Sequence, residues 1–155
     1  MTIIFQKERP GKPHSMRCVR GDGSATWQQS DDYHVLHDLA HYAVEQTCGF
    51  QRAFYGTLAK GADITDYEKP RAERPVIEPE AALAECLVAV LQQEVFQGQL
   101  SCADFNTTLA QNLSTMNSDA VEVSEETIER LRQEVRSILR LWADLPVGDK
   151  LSLNF

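Results

Sequence analysis

The sequence has no apolar run long enough to cross a bilayer. Its most apolar stretch, Ala81 to Leu91, is interrupted by Glu85 and falls well short of the roughly 20 residues that a spanning helix needs. Positive charge is also scarce. Fifteen Lys and Arg stand against 23 Asp and Glu, for a formal net charge of -8. That balance argues against a protein whose main work is to neutralise phosphates, and against an anionic membrane surface, so neither nucleic acid nor membrane is expected as a partner. Closely spaced cysteines are missing too: Cys18, Cys48, Cys86 and Cys102 form no C-x-x-C pair. Met1 to Lys7 shows no charged region followed by a long apolar run, so no export signal is expected. Four reduced thiols that mostly fill core, and a cytoplasmic location, follow as expectations.

Several catalytic signatures are absent. There is no glycine-rich phosphate loop, since Arg20-Gly21-Asp22-Gly23-Ser24 reads as a hairpin turn. There is no G-x-S-x-G nucleophile elbow. No local signature supports a cysteine–histidine nucleophile pair such as Cys48 or Cys86 with His41.

What is present is an ordinary globular composition, 43% hydrophobic and 25% charged over 155 residues. This suits one domain, residues 1–155, with a sizeable core. Residues 2 to 29 read as a three-stranded antiparallel meander. Thr2 to Gln6 alternates, Met16 and Cys18 alternate against Arg17 and Val19, and Ala25 and Trp27 continue the returning strand. His14 falls at the loop edge of this meander and is expected to be solvated. Ser30-Asp31-Asp32 is a helix start, and Gly49 closes or bends that helix. A second short helix is expected from Phe50 to Lys60, stopped by Gly61. Residues 62 to 79, with Pro70, Pro75 and Pro79, read as a surface excursion.

Glu80 to Gln97 is the most apolar helix, expected to sit centrally with Leu83, Leu87, Val90, Leu91 and Val95 on one face. Ser101 with Asp104 starts the next helix, and Ser124 starts the last, which runs through Trp142. Leu151 to Phe155 alternates like a strand and needs a partner, which the meander supplies. The expected class is therefore α+β: a small antiparallel sheet, with the C-terminal strand joining the meander, packed against about five helices.

Chemistry concentrates in one stretch, His34 to Glu45, which holds three of the four histidines. At about 100° per residue, His34, His37, Asp38, His41 and Glu45 fall on one stripe of a helix. His37-Asp38-x-x-His41 has the shape of H-E-x-x-H, where two imidazoles one turn apart share a zinc ion and the carboxylate between them acts as base. Asp is one methylene shorter than Glu, so Asp38 would hold a metal-bound water at a different distance. Glu45 lies two turns beyond His37, about 12 Å along the axis. One ion cannot easily reach both ends of a straight helix over that span. His37 with His41, or His41 with Glu45, would therefore need a carboxylate from elsewhere. Glu80, Glu85, Asp63 and Asp66 are all available, with nothing to choose among them. The bland alternative is a polar helix face with ordinary i, i+3 and i, i+4 pairs.

The run His37-Asp38-Leu39-Ala40-His41-Tyr42-Ala43-Val44-Glu45 is followed by Gly49-Phe50 and Phe54-Tyr55-Gly56-x-Leu58-Ala59-x-Gly61. It resembles a group of small bacterial proteins of unassigned function that have an N-terminal β meander, an HDLxHYxVE-type helix and a Gly/aromatic helix after it. The resemblance covers residues 1 to 65. It implies organisation and no particular activity.

Two functional expectations follow. One is a divalent-metal protein, zinc first, acting as a metal-dependent hydrolase. In it His37 and His41 are ligands, Glu45 is a third ligand or an orienter of a ligand histidine, and Asp38 is the catalytic base or such an orienter. The other is a non-enzymatic interaction module with structural histidines, binding a protein partner or forming a homo-oligomer.

Overall fold

The computed structural model describes residues 1–67, 69 and 77–155. Among them are four strands, β1 (Thr2–Gln6), β2 (His14–Val19), β3 (Ala25–Ser30) and β4 (Lys150–Asn154). Five α-helices accompany them: α1 (Asp32–Cys48), α2 (Phe54–Ala59), α3 (Pro79–Gln97), α4 (Cys102–Thr115) and α5 (Glu125–Asp144). The class is α+β, as the sequence patterns require. The sheet is antiparallel throughout, in the order β3-β2-β1-β4. The first hairpins explain three neighbours, and the last strand pairs with the first, Thr2 opposite Asn154 and Gln6 opposite Lys150.

Strand alternation aims Ile3, Phe5, Met16 and Cys18 into the core, all with no exposed surface. His14 is on the same inward row. The expectation of a solvated histidine is corrected here: His14 is 4% exposed, because it is the first residue of β2 and not part of the loop before it. Its ring meets Trp142 edge-on at 5.1 Å.

Local chemistry sets the helix ends. The Asp31 carboxylate accepts from the His34 backbone N–H at the start of α1, and Gly49 closes that helix at a φ of 68°, a conformation that favours glycine. Ser101 and Ser124 cap α4 and α5 in the same way. The second helix is shorter than its apolar spacing predicts. Residues 51–53 bend instead, with the Gln51 and Arg52 amides donating to Oε1 of Glu80, and Ala53 is extended. Gly56 is required where α2 then presses on this bend, since a Cβ there would overlap the Gln51 backbone.

α3 is buried through its middle, at Ala82, Ala84, Cys86, Leu87, Val88, Val90 and Leu91. Its last turn departs from expectation: Val95 is 58% and Phe96 75% exposed, because the helix outruns the core there. Much of the expected excursion at 62–79 lies outside the described residues. Within the described part, Ile64–Tyr67 form a 3-10 turn with Ile64 buried. All four cysteines are free, with Cys18 and Cys86 buried. Among the described residues no helix is long and apolar enough to cross a membrane.

Candidate metal centre

The stripe on α1 is graded from solvent to core. At its start the His34 side chain is 63% exposed and pairs with the capping Asp31 at 2.7 Å. The His37 side chain is 29% exposed. His41 and Glu45 are buried, at 2% and 0%. The gradient arises because α1 begins at the sheet edge and runs under α3, α5 and α2.

α3 lies antiparallel to α1, as two cross-links show. Nδ1 of His37 donates to Oε1 of Gln92 at 3.1 Å, and Nε2 of His41 lies 3.4 Å from Oε2 of Glu85. The same Glu85 oxygen is 3.9 Å from Nε2 of His37. One ligand atom from each of His37, His41 and Glu85 therefore falls within 4.8 Å of the others. Ligands around a tetrahedral zinc sit about 3.3 Å apart, so modest side-chain rotation would close the set. Of the four carboxylates left open by the sequence, it is Glu85 that meets the histidines.

Glu45 stands on the other side of His41. Its Oε2 accepts from the backbone N–H groups of Tyr55 and Gly56 at 3.0 and 3.3 Å, at the start of α2. Its Oε1 lies 3.4 Å from Nδ1 of His41. Those two atoms face each other without hydrogen-bond geometry and have no other partner. Glu45 is thus not among the three converging groups, and its position suits the orienting role instead.

Asp38, one residue on from His37, faces the sheet: Gln28 of β3 donates to its Oδ2 at 2.9 Å. The Tyr55 hydroxyl donates to the Asp38 backbone carbonyl at 3.0 Å. The structure therefore does not bring Asp38 to the ligand atoms that converge at Glu85.

The electrostatics follow from this placement. Burial pushes the Asp38 carboxyl up to about 7. Burial also opposes a charge on His41, but the carboxylates of Glu45 and Glu85 outweigh it and raise the imidazole to about 9. Burial lifts Glu45, while His41 and the two amides pull it down. In this coupled pair the proton belongs on His41, which faces two carboxylates. Burial works against the Glu85 anion as well, yet the bond and charge of His41 hold it below its usual range. His37 is lowered, first by burial and then by the neighbouring His41 charge.

Glu85, Gln92 and the α2 amides could not be chosen from sequence, because the α1–α3 register is a tertiary fact. One signal was there: Glu85 is the single acid within the apolar stretch Ala81 to Leu91, and such a charge needs a partner. No family model, no curated protein and no solved structure matches the chain.

Proposed function

We propose that His37, His41 and Glu85 bind one divalent transition metal, zinc being the first candidate, and that the chain is a metal-dependent hydrolase. The observation that carries this reading is the orientation of the two imidazoles. Both Nδ1 atoms turn to oxygens, of Gln92 and Glu45, while both Nε2 atoms turn to one oxygen of Glu85. Ligand histidines are held in this manner, with the far nitrogen on a carbonyl or carboxylate that fixes tautomer and ring plane. The unpartnered Nδ1 of His41 and Oε1 of Glu45 fit the same pattern, since ligation at Nε2 would make Nδ1–H a stronger donor to Glu45. Two imidazoles and one carboxylate leave coordination positions open, as a hydrolytic centre needs, and a metal there would supply an acidified water. In this reading Glu45 and Gln92 orient the ligands, and Asp38 ties α1 to the sheet.

The test is elemental analysis of protein purified without a histidine tag or chelator, repeated on His37→Ala/His41→Ala and on Glu85→Gln. The reading expects about one zinc, iron or manganese per chain, lost in both variants while they stay folded. Wild-type protein that contains no metal and takes none up would refute it. A second reading rests on His41 alone. Flanked by two carboxylates, it would be an imidazolium that ties α1 to α2 and α3, and the chain would be an interaction module with structural histidines. That reading expects His37→Ala to change stability with no metal to lose.

A further inference from the structure

The seam between α1 and α3 has a definite chemistry beyond the three ligand atoms. Neither helix contains a single lysine or arginine, while each carries three acids: Asp32, Asp38 and Glu45 on α1, and Glu80, Glu85 and Glu94 on α3. Among the described residues, the polar partners of His37, His41 and Glu85 are one another, Glu45 and Gln92. Sites that bind phosphoryl or carboxylate groups surround them with arginine, lysine or further metal ions. This seam supplies none of those along either helix.

It supplies aromatic surface instead. On α3 the positions Glu85, Ala89, Gln92 and Phe96 form one row at i, i+4, i+7 and i+11. Ala89 is exposed and adds no bulk to the row. On α1 the row runs back from His41 through His37 to Tyr33, whose ring lies nearly parallel to that of His37, 13° apart at 6.5 Å. The pairs His41–Glu85 and His37–Gln92 fix the antiparallel register. Carried one turn further, that register brings the row to Tyr33 and Phe96, which are 56% and 75% exposed. The opposite end is bounded by packed rings, with Phe54 at 6.0 Å from His41 and Tyr67 at 5.3 Å from Phe54.

We propose that this seam takes an uncharged organic ligand, with a polar head at the His37, His41 and Glu85 atoms and an apolar, aromatic body laid toward Tyr33 and Phe96. The inference rests on the metal reading above and names the ligand class for that same site. Exposed Tyr33, one turn from His37, and exposed Phe96, one turn from Gln92, give the body aromatic surface to stack on, and the absence of basic residues on both helices disfavours an anionic body. Neutral amides or esters with aromatic or long apolar groups are the favoured class.

The test uses full-length protein reconstituted with cobalt(II) and followed by its visible absorption. The probes are acetohydroxamate and benzohydroxamate, each added as the hydroxamic acid that is uncharged at neutral pH, with inorganic phosphate and phenyl phosphate as anionic counterparts. Benzohydroxamate is expected to saturate the spectral change at a concentration at least about tenfold lower than acetohydroxamate. Phe96→Ser and Tyr33→Ser should each cut that advantage to about threefold or less. Cobalt uptake and the acetohydroxamate response should persist in Phe96→Ser, whose altered side chain is on the surface. Neither phosphate probe should shift the spectrum over the same range. Equal response to the two hydroxamates, an advantage that survives both substitutions, or a phosphate response as strong as that of benzohydroxamate would each overturn the proposal. Failure to take up cobalt would overturn the metal reading itself, and that result is recorded before any probe is added.

Discussion

Two buried histidines in this fold are treated in opposite ways. His14 of β2 is 4% exposed and His41 of α1 is 2% exposed, so burial does not separate them. Hydrogen bonding does. Nδ1 of His14 accepts from the Glu8 backbone N–H at 2.9 Å, and its Nε2 meets Oδ1 of Asp32 at 2.7 Å. Both ring nitrogens are satisfied at ordinary lengths, and the ring rests against Trp142. His41 has a carboxylate at each nitrogen, both at 3.4 Å, and its Nδ1 makes no hydrogen bond. A histidine built only for structure resembles the first case, since an unsatisfied buried polar group costs free energy. The second arrangement leaves chemistry unspent.

The comparison can be broken most forcefully at Glu45. Glu45→Ala removes the acceptor of two buried amides and one partner of His41. It should lower stability by about 3–5 kcal/mol in urea unfolding, with Glu45→Gln losing less. His14→Ala should cost about 2–3 kcal/mol through its lost hydrogen bonds and the gap beside Trp142. It should leave metal content at the wild-type level, as checked by elemental analysis. A histidine variant that lost metal through His14 and not through His37 would reverse the assignment.

The pH dependence of the metal-free protein sharpens the contrast through Asp38. Its carboxyl is raised to about 7 in the fold and is near 3.9 in an unfolded chain. Between those values the folded state holds a proton that the unfolded state has released. The contribution of Asp38 to stability is therefore largest at low pH and is lost as pH rises toward 7. Asp38→Asn should remove this fall, making the variant gain on wild type by up to about 1.4 kcal/mol per pH unit from pH 5 to 6.5. Paired urea titrations of the two proteins isolate this term from the opposite slope of Glu85. The smallest expected effect is on the fold of His37→Ala without metal, a change under about 1 kcal/mol, although the same variant should lose its metal.

Local features of this fold were legible in the sequence because they are fixed by neighbours along the chain. Asp31 and Gly49 delimit α1, Ser101 and Ser124 start their helices, and the alternation of Leu151 to Phe155 marks β4. His14 was also within reach. Extending the inward row of Met16 and Cys18 back by two residues arrives at it, although Pro10-Gly11-Lys12-Pro13 directly before it reads as a turn. The candidate centre was half legible. The i, i+4 spacing located His37 and His41, whereas the choice of Glu85 over Glu45 depends on how α3 slides along α1. No periodicity in one helix encodes that register. The bend at 51–53 that shortens α2 was hidden for the same reason, since the carboxylate of Glu80 that receives its amides is remote in sequence.

The pairing of β1 with β4 sets an order on how the molecule comes together. β1 can join β2 as soon as the first hairpin exists, whereas its other edge stays open until the segment around Leu151 arrives. Closing that contact spans nearly the whole chain, and such pairings form slowly. During synthesis, Thr2 to Gln6 would therefore remain an unpaired edge, open to the wrong strand. Until β4 arrives, the emerging chain is sensitive to crowding by its own copies at β1, an edge that the folded sheet covers, leaving β3 and β4 as its outer strands.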